Sequence, residues 1–184
     1  MIAAITSSGR INSNSSFLLG KALEAASGGE TVSFYDLSKL AFKGCTGCGA
    51  CRSGAGSCIV MDDLSEVLDA VATARAVLLA SPNYYGYTSG IFKAFLDRWY
   101  SFRDGERKLK IPEGRPLLFI FSQGHPDPEA YPHTLSSLEK IFSGYGFAPK
   151  ILVAPGLEKA GSAAKSSGLI EKAMALGAEL RKSK

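Results

Sequence analysis

No stretch of this 184-residue chain approaches the roughly 18 consecutive apolar residues that a membrane-spanning helix needs, and its start lacks an export signal's basic patch and long apolar core. A cytoplasmic protein with no membrane partner is therefore expected. Charge is nowhere concentrated: 21 Lys and Arg against 17 Asp and Glu leave a net +4. The densest basic group, Arg103-Asp104-Gly105-Glu106-Arg107-Lys108-Leu109-Lys110, is broken by acids. With no continuous basic face and no known module, nucleic acid is not expected as a partner. Histidine is scarce as well. His125 and His133 are the only two, neither is set up for a metal site, and no side chain is expected to serve as catalytic nucleophile or general base. The glycines follow neither G-x-G-x-x-G nor G-x-x-x-x-G-K-[ST], which sets aside the dinucleotide fingerprint and the Walker loop. Repeats, low-complexity segments and linkers are absent too, so residues 1–184 read as one domain.

What is present begins with Ile2-Ala3-Ala4-Ile5, a short apolar run that gives way to Thr6-Ser7-Ser8-Gly9-Arg10-Ile11-Asn12-Ser13-Asn14-Ser15-Ser16 and then to a helical pattern from Phe17. A strand emptying through a hydroxyl-rich loop into a helix N-terminus gathers unpaired N–H groups, Ser and Asn donors and the positive end of a helix dipole. Such a spot suits a phosphate, the alternative being a capped loop without ligand.

Further along, helices are expected over about Ser15 to Ala26, from Met61, over Ser89 to Tyr100, over Glu129 to Ser143 and over Ser166 to Lys182. Strands are expected at Glu30–Tyr35, Ala76–Ala80, Pro116–Phe121 and Ala148–Val153. The continuous apolar runs among these are the mark of strands buried on both faces of a parallel sheet. Alternating strands and helices predict an α/β three-layer sandwich with a five-stranded parallel sheet in the flavodoxin-like order 2-1-3-4-5, its ligand beyond the carboxyl ends of the strands. Three loops converge there: Ser7 to Ser15, Pro82 to Tyr87 and Ser122 to His125. Together they suit a flat, phosphorylated, aromatic cofactor. The polar, aromatic excursion from Trp99 to Gly114 is long for a connection in a compact fold and is a candidate cover for a neighbour's cofactor, so a homodimer or homotetramer is expected.

All four cysteines lie in the loop of residues 44–58, as Cys45, Cys48, Cys51 and Cys58 in a C-x2-C-x2-C-x6-C pattern. A reducing compartment gives them no role as staples. Two successive x2 spacings let three thiolates converge, and the intervening glycines permit backbone turns with N–H groups aimed at sulfur. The pattern admits a [4Fe-4S] cluster, free or redox-active thiols, zinc or a disulfide. It lacks the x3 spacing and the following proline of bacterial ferredoxins, and it is not the pair of separated knuckles usual for zinc.

Ser8-Gly9-Arg10-Ile11-Asn12-Ser13-Asn14-Ser15 resembles the S-P-R-x-x-[SG]-N-[TS] phosphate loop of the NADPH-dependent FMN reductase family, with Gly9 where proline is common. Pro82-Asn83-Tyr84-Tyr85-Gly86, followed by Lys93 and Asp97-Arg98, is similar to that family's second flavin loop and helix. With the cysteine run included, the chain resembles the iron-sulfur flavoprotein subgroup. The resemblance implies FMN, its phosphate on Ser8, Arg10, Asn14 and Ser15, and its ring bordered by Pro82, Asn83, Tyr84, Tyr85 and Gly86 together with Ser122, Gln123 and Gly124. It implies a [4Fe-4S] cluster on Cys45, Cys48, Cys51 and Cys58. The implied activity is electron transfer between NAD(P)H or a ferredoxin-like one-electron donor and a small-molecule acceptor, the alternative being a cluster-free NAD(P)H-dependent FMN or quinone reductase.

Overall fold

Every residue of Ile2–Thr6 is buried, as a strand lying between two helical layers must be. The computed structural model describes residues 1–182. The chain runs β1 (Ile2–Thr6), α1 (Asn14–Ser27), β2 (Val32–Asp36), α2 (Leu64–Thr73), β3 (Ala76–Tyr84), β4 (Tyr87–Thr88), α3 (Gly90–Arg98), β5 (Arg115–Ser122), α4 (Pro132–Gly144), β6 (Phe147–Ala154) and α5 (Ser167–Lys182). The main sheet is parallel in the order β2-β1-β3-β5-β6, with β4 paired only to β3. Setting that short hairpin strand aside, this is the flavodoxin-like order 2-1-3-4-5.

Period-two alternation divides the sheet residues between two cores. Ala3, Ile5, Val77, Leu79, Phe119 and Phe121 face α2, α3 and α4. Ile2, Ala4, Leu78, Ala80, Leu118 and Ile120 face α1 and α5. The first core is strongly aromatic: Trp99 packs edge-on against Phe95 and Tyr145 and meets Phe142 and Phe147 with ring centroids 5.9 and 5.5 Å away. The second is tight enough that backbones touch. A Cβ built on Gly177 of α5 would stand 2.0 Å from the Ala22 carbonyl oxygen of α1, so only glycine lets these helices meet.

Buried Arg115 closes the lower edge of the first core. Its guanidinium donates to the carbonyls of Val71, Ala72 and Ala74 at 2.6 to 3.0 Å, where the last turn of α2 leaves acceptors unpaired, and it lies 4.8 Å from the Phe147 ring. Burial without a carboxylate partner lowers its pKa from the ordinary arginine value.

Several element bounds differ from expectation for local reasons. The helix expected from Glu129 begins at Pro132, because a residue before proline is pushed out of the α region; Tyr131 has φ −129° and ψ 54°. The third strand runs past Ala80 to Tyr84, since Asn83 and Tyr84 pair with Thr88 and Tyr87 around a two-residue turn. The helix from Ser89 ends at Arg98 and tightens into a 3-10 turn over Trp99–Phe102. That turn sends Trp99 and Phe102 into the chain's own core, so the excursion to Gly114 is anchored at home by its first residues.

Candidate functional site

α1 follows β1 and packs on one face of the sheet, whereas α3 follows the neighbouring β3 and packs on the other. The chain leaves these strands in opposite directions, and a crevice opens above their carboxyl ends. It holds a cavity of about 220 Å3. The loop after β1 contributes Ser8, Arg10 and Ser13, and α1 its first residue Asn14; the end of β3 contributes Pro82, Asn83 and Tyr84; Ser122 ends β5 and Gly124 follows it, and Leu157 and Glu158 follow β6.

The loop after β1 is held from below. Ser7 donates from its N–H and its hydroxyl to the Ala80 carbonyl, each at 3.1 Å. The N-cap hydroxyl of Ser89 donates to the Ser7 carbonyl at 3.1 Å, and the Ser89 N–H donates to Ser81 Oγ at 3.0 Å. Three buried serines thus tie the ends of β1 and β3 to the start of α3. Above them, Ser13 caps α1 by accepting the Ser16 N–H at 3.2 Å. The first N–H groups of α1 have no intrahelical partner, and no acid in its first turn offsets the positive end of the dipole. Hydroxyls, free N–H groups and a guanidinium on one wall are a donor set that fits a phosphate.

Of the expected site residues, Ser8, Arg10, Asn14, Pro82, Asn83, Tyr84, Ser122 and Gly124 line this cavity; Ser15, Tyr85, Gly86 and Gln123 do not. Ser15 is fully buried, with its hydroxyl 3.1 Å from Ser13 Oγ. Buried Gln123 donates from Nε2 to the carbonyls of Asp127 and His125 at 2.6 and 3.2 Å, which organises the loop after β5. Tyr85 and Gly86 have φ 52° and 83°, the left-handed pair of a type I′ hairpin turn. Asn83 Oδ1 accepts the Gly86 N–H at 2.8 Å, Thr134 donates to the Gly86 carbonyl at 2.6 Å, and the Tyr85 ring stands fully exposed at the tip.

Asn14 reaches the cavity but is engaged elsewhere. Its Nδ2 donates to the carbonyls of Leu157 and Lys159 at 3.1 and 2.8 Å, and its Oδ1 accepts the Ala163 N–H at 3.0 Å. It therefore fastens the loop after β6, whose residues Leu157 and Glu158 sequence reasoning missed. The signal that could have found them is Ala154-Pro155-Gly156, a strand end followed by turn residues like those after β3 and β5. Arg10 donates from an η nitrogen to the Glu158 carbonyl at 3.0 Å, and among the described residues its other side-chain donors have no partner.

The four cysteines line a second, mainly apolar cavity with Ile59, Val60, Tyr100 and Arg98. The glycines do as expected: Gly47 and Gly49 have φ 70° and 75°, and the Gly47 N–H points at Cys45 Sγ, 3.4 Å away. Cys45 and Cys48 are exposed; Cys51 and Cys58 are half-buried. The Ala50 N–H, helped by the Thr46 hydroxyl, holds the Cys48 thiol below its ordinary pKa, while burial pushes Cys51 up, with Cys58 adding to the rise and Lys110 opposing it. Among the described residues no three His, Cys, Asp or Glu side chains are grouped as a single ion requires. The four thiols thus share one small cavity, with backbone N–H groups near Cys45 and Cys48.

Both ends of the cysteine loop are fastened by one buried cation that sequence reasoning did not place. Arg98, at the end of α3, has a fully buried side chain. It donates to Asp62 Oδ1 at 2.6 Å, to the Val60 carbonyl at 2.7 Å and to the Lys43 carbonyl at 3.4 Å. Asp62 Oδ2 in turn accepts the Lys43 N–H at 2.9 Å. Lys43 enters the loop and Val60 leaves it, so the Arg98–Asp62 pair closes the loop's neck.

Residues 1–147 match the family described as NADPH-dependent FMN reductase. An iron-sulfur flavoprotein of Archaeoglobus fulgidus is 31% identical over 147 residues, 79% of this chain and 63% of that protein. One of Methanosarcina thermophila is 32% identical over 118 residues, 63% of this chain and 61% of that protein. The chain thus spans less than two thirds of the length of these relatives. Among solved structures, the NAD(P)H:quinone oxidoreductase of Methanothermobacter marburgensis superposes with a TM-score of 0.77 over 97% of this chain and 96% of that one, at 17% identity, a likeness of fold. The chain belongs to the NADPH-dependent FMN reductase family, in the subgroup of the iron-sulfur flavoproteins.

Proposed function

We propose that the protein is an FMN-dependent oxidoreductase that carries a [4Fe-4S] cluster on Cys45, Cys48, Cys51 and Cys58 and passes electrons from NAD(P)H or a ferredoxin-like donor to a small-molecule acceptor. The observation that carries the reading is the polar cavity at the switch point, where hydroxyls, a guanidinium and free helix N–H groups face Pro82, Asn83 and Tyr84 across the crevice. In this reading Ser8, Arg10, Ser13 and the first N–H groups of α1 hold the FMN phosphate. Pro82, Asn83, Tyr84, Ser122 and Gly124 border the ring. Asn14, Gln123 and the Ser7–Ser81–Ser89 contacts hold those residues in place. FMN supplies exchange of electrons in pairs or singly and a [4Fe-4S] cluster exchanges them singly, so the two together connect pair donors with one-electron partners.

The protein purified without oxygen, with iron and sulfide supplied, tests this directly. Released flavin should co-migrate with FMN, and iron should approach four per chain; FAD, or less than about one iron, defeats the corresponding half of the reading.

A cluster-free NAD(P)H-dependent FMN or quinone reductase is the second reading. It is favoured by the exposure of Cys45 and Cys48 and by the lack, among the described residues, of a grouping for one ion. Steady NAD(P)H turnover with a quinone by iron-free protein supports it, and turnover that needs reduced ferredoxin and iron supports the first. We place the active form as a homodimer or homotetramer, because Tyr84 and Tyr85 expose aromatic surface beside the cavity. A single monomeric species by light scattering across micromolar concentrations overturns that.

A further inference from the structure

Beside the cysteine loop lies a third cavity, of about 510 Å3, walled by Arg52, Arg103, Arg107, Tyr100 and Tyr145. Its size is that of a small-molecule site. Among the described residues no carboxylate pairs with these three cations. Arg52 donates to the carbonyls of Asp104 and Gly105 at 3.1 and 2.9 Å and to the Tyr100 hydroxyl. Arg103 donates to the carbonyls of Arg107 and Gly144. Their guanidinium groups lie over the rings of Tyr100 and Tyr145, at 5.2 and 5.1 Å from the centroids. These contacts fix the planes while leaving some of each guanidinium's five donors unspent. The nearby acids are engaged: Asp104 Oδ1 accepts the N–H groups of Glu106 and Lys108 at 2.9 Å, and Glu106 pairs with Lys108.

Arg107 supplies an independent observation. It stands at φ 67°, in the left-handed region where a long side chain is disfavoured and glycine is at ease. Asp104 imposes that conformation by closing the turn: the Arg107 N–H donates to the Asp104 carbonyl at 3.1 Å and the Asp104 N–H donates to the Lys108 carbonyl at 3.0 Å. No hydrogen bond holds the Arg107 side chain itself among the described residues, so its strained placement contributes nothing to the fold that glycine would not. What it contributes is a third positive group on the cavity wall.

We propose that this cavity binds a small molecule through a multiply charged oxyanion, a phosphate ester or a polycarboxylate, with Arg52, Arg103 and Arg107 as its donors. Guanidinium forks match both groups, and two or more converging cations favour a ligand of charge −2 or greater. Tyr100 also walls the cysteine cavity, so the bound anion lies next to the four thiols. The three guanidinium groups and the cavity's shape do not depend on whether those thiols hold a cluster.

The test titrates FMN-loaded protein calorimetrically with pyrophosphate and, separately, with citrate, at low salt. FMN fills the switch-point crevice, so binding there does not confuse the result, and flavin absorbance before and after confirms that it stays. One anion per chain should bind, at least tenfold more weakly in Arg107→Gly, while the thermal midpoint of that variant equals or exceeds the wild type's. Tighter binding of pyrophosphate assigns the site to phosphate esters, and tighter binding of citrate to polycarboxylates. No binding of either anion, equal affinity in Arg107→Gly, or binding that releases flavin overturns the proposal.

Discussion

Replacing Arg98 with methionine removes the cation that joins α3 to both ends of the cysteine loop while filling most of the same space. It leaves Asp62 with a negative charge in a mostly buried position and the Val60 carbonyl without its donor at 2.7 Å. Breaking one partner out of a buried ion pair costs about 3 to 5 kcal/mol. Here the lower end applies, because Asp62 keeps two N–H donors, from Lys43 at 2.9 Å and Leu64 at 3.1 Å. Urea unfolding should therefore show a loss near 3 kcal/mol, and with a slope of about 2 to 3 kcal/mol per molar for a chain this size the midpoint should fall by about 1 to 1.5 M.

The pH dependence carries a separate signature of the same pair. Partial burial pushes the Asp62 carboxyl up, but the Lys43 N–H and the Arg98 guanidinium together outweigh it and hold the pKa below the ordinary value. A depressed folded-state pKa stabilises the fold at pH above the unfolded value of about 4 and loses that contribution as pH falls through the lower folded value. Wild-type stability should accordingly drop as the pH falls below about 4. Arg98→Met should drop less steeply over that window, and Asp62→Asn with Arg98→Met should recover part of the loss at pH 7. A cost under about 1 kcal/mol, or identical acid limbs in the two proteins, would refute the clamp.

Cys48→Ala removes one of four candidate thiolates with no spare cysteine in the chain, and iron per chain should fall from about four to under one while FMN is retained; metal analysis beside flavin absorbance decides it. Arg10→Ala should weaken FMN by about 1.5 to 3 kcal/mol, the scale of a hydrogen bond to a charged group, as read by fluorescence titration. An unchanged affinity would mean that the guanidinium stays on the Glu158 carbonyl. Gly177→Ala drives a Cβ to 2.0 Å from the Ala22 carbonyl oxygen and should destabilise by about 3 kcal/mol, the upper end for overpacking, with FMN affinity spared because the contact is remote from the crevice.

How much of this could be read from residues alone follows from which interactions have a period. Burial of Ile2–Ile5, Ala76–Ala80 and Pro116–Phe121 leaves continuous apolar runs, and the helices between them leave a 3.6-residue rhythm, so strand order and the convergence of three loops were legible. Side-chain destination has no period. A serine or asparagine after a strand suits a phosphate and a helix cap equally. The structure divides them: Ser8 lines the crevice, Ser13 lines it while capping α1, and Ser15 is sealed beneath. Asn14 was legible as a polar group at the right place. Its three hydrogen bonds to residues more than 140 positions away were not.

The same limit explains the two cationic features that sequence reasoning passed over. Arg98 was visible only as part of Asp97-Arg98, which resembles the family's second flavin helix and says nothing of a tie to the cysteine loop. Its partner Asp62 lies 36 residues away, beyond α2 and β3, and nothing in local spacing joins them. The segment from Arg103 to Lys110 read only as a basic group broken by Asp104 and Glu106. Folding takes those acids out of play: Glu106 pairs with Lys108, Asp104 Oδ1 caps its own turn, and Arg103 and Arg107 share a cavity wall with Arg52 of the cysteine loop. Net charge along a chain and net charge across a cavity are thus different quantities, and ligand recognition depends on the second.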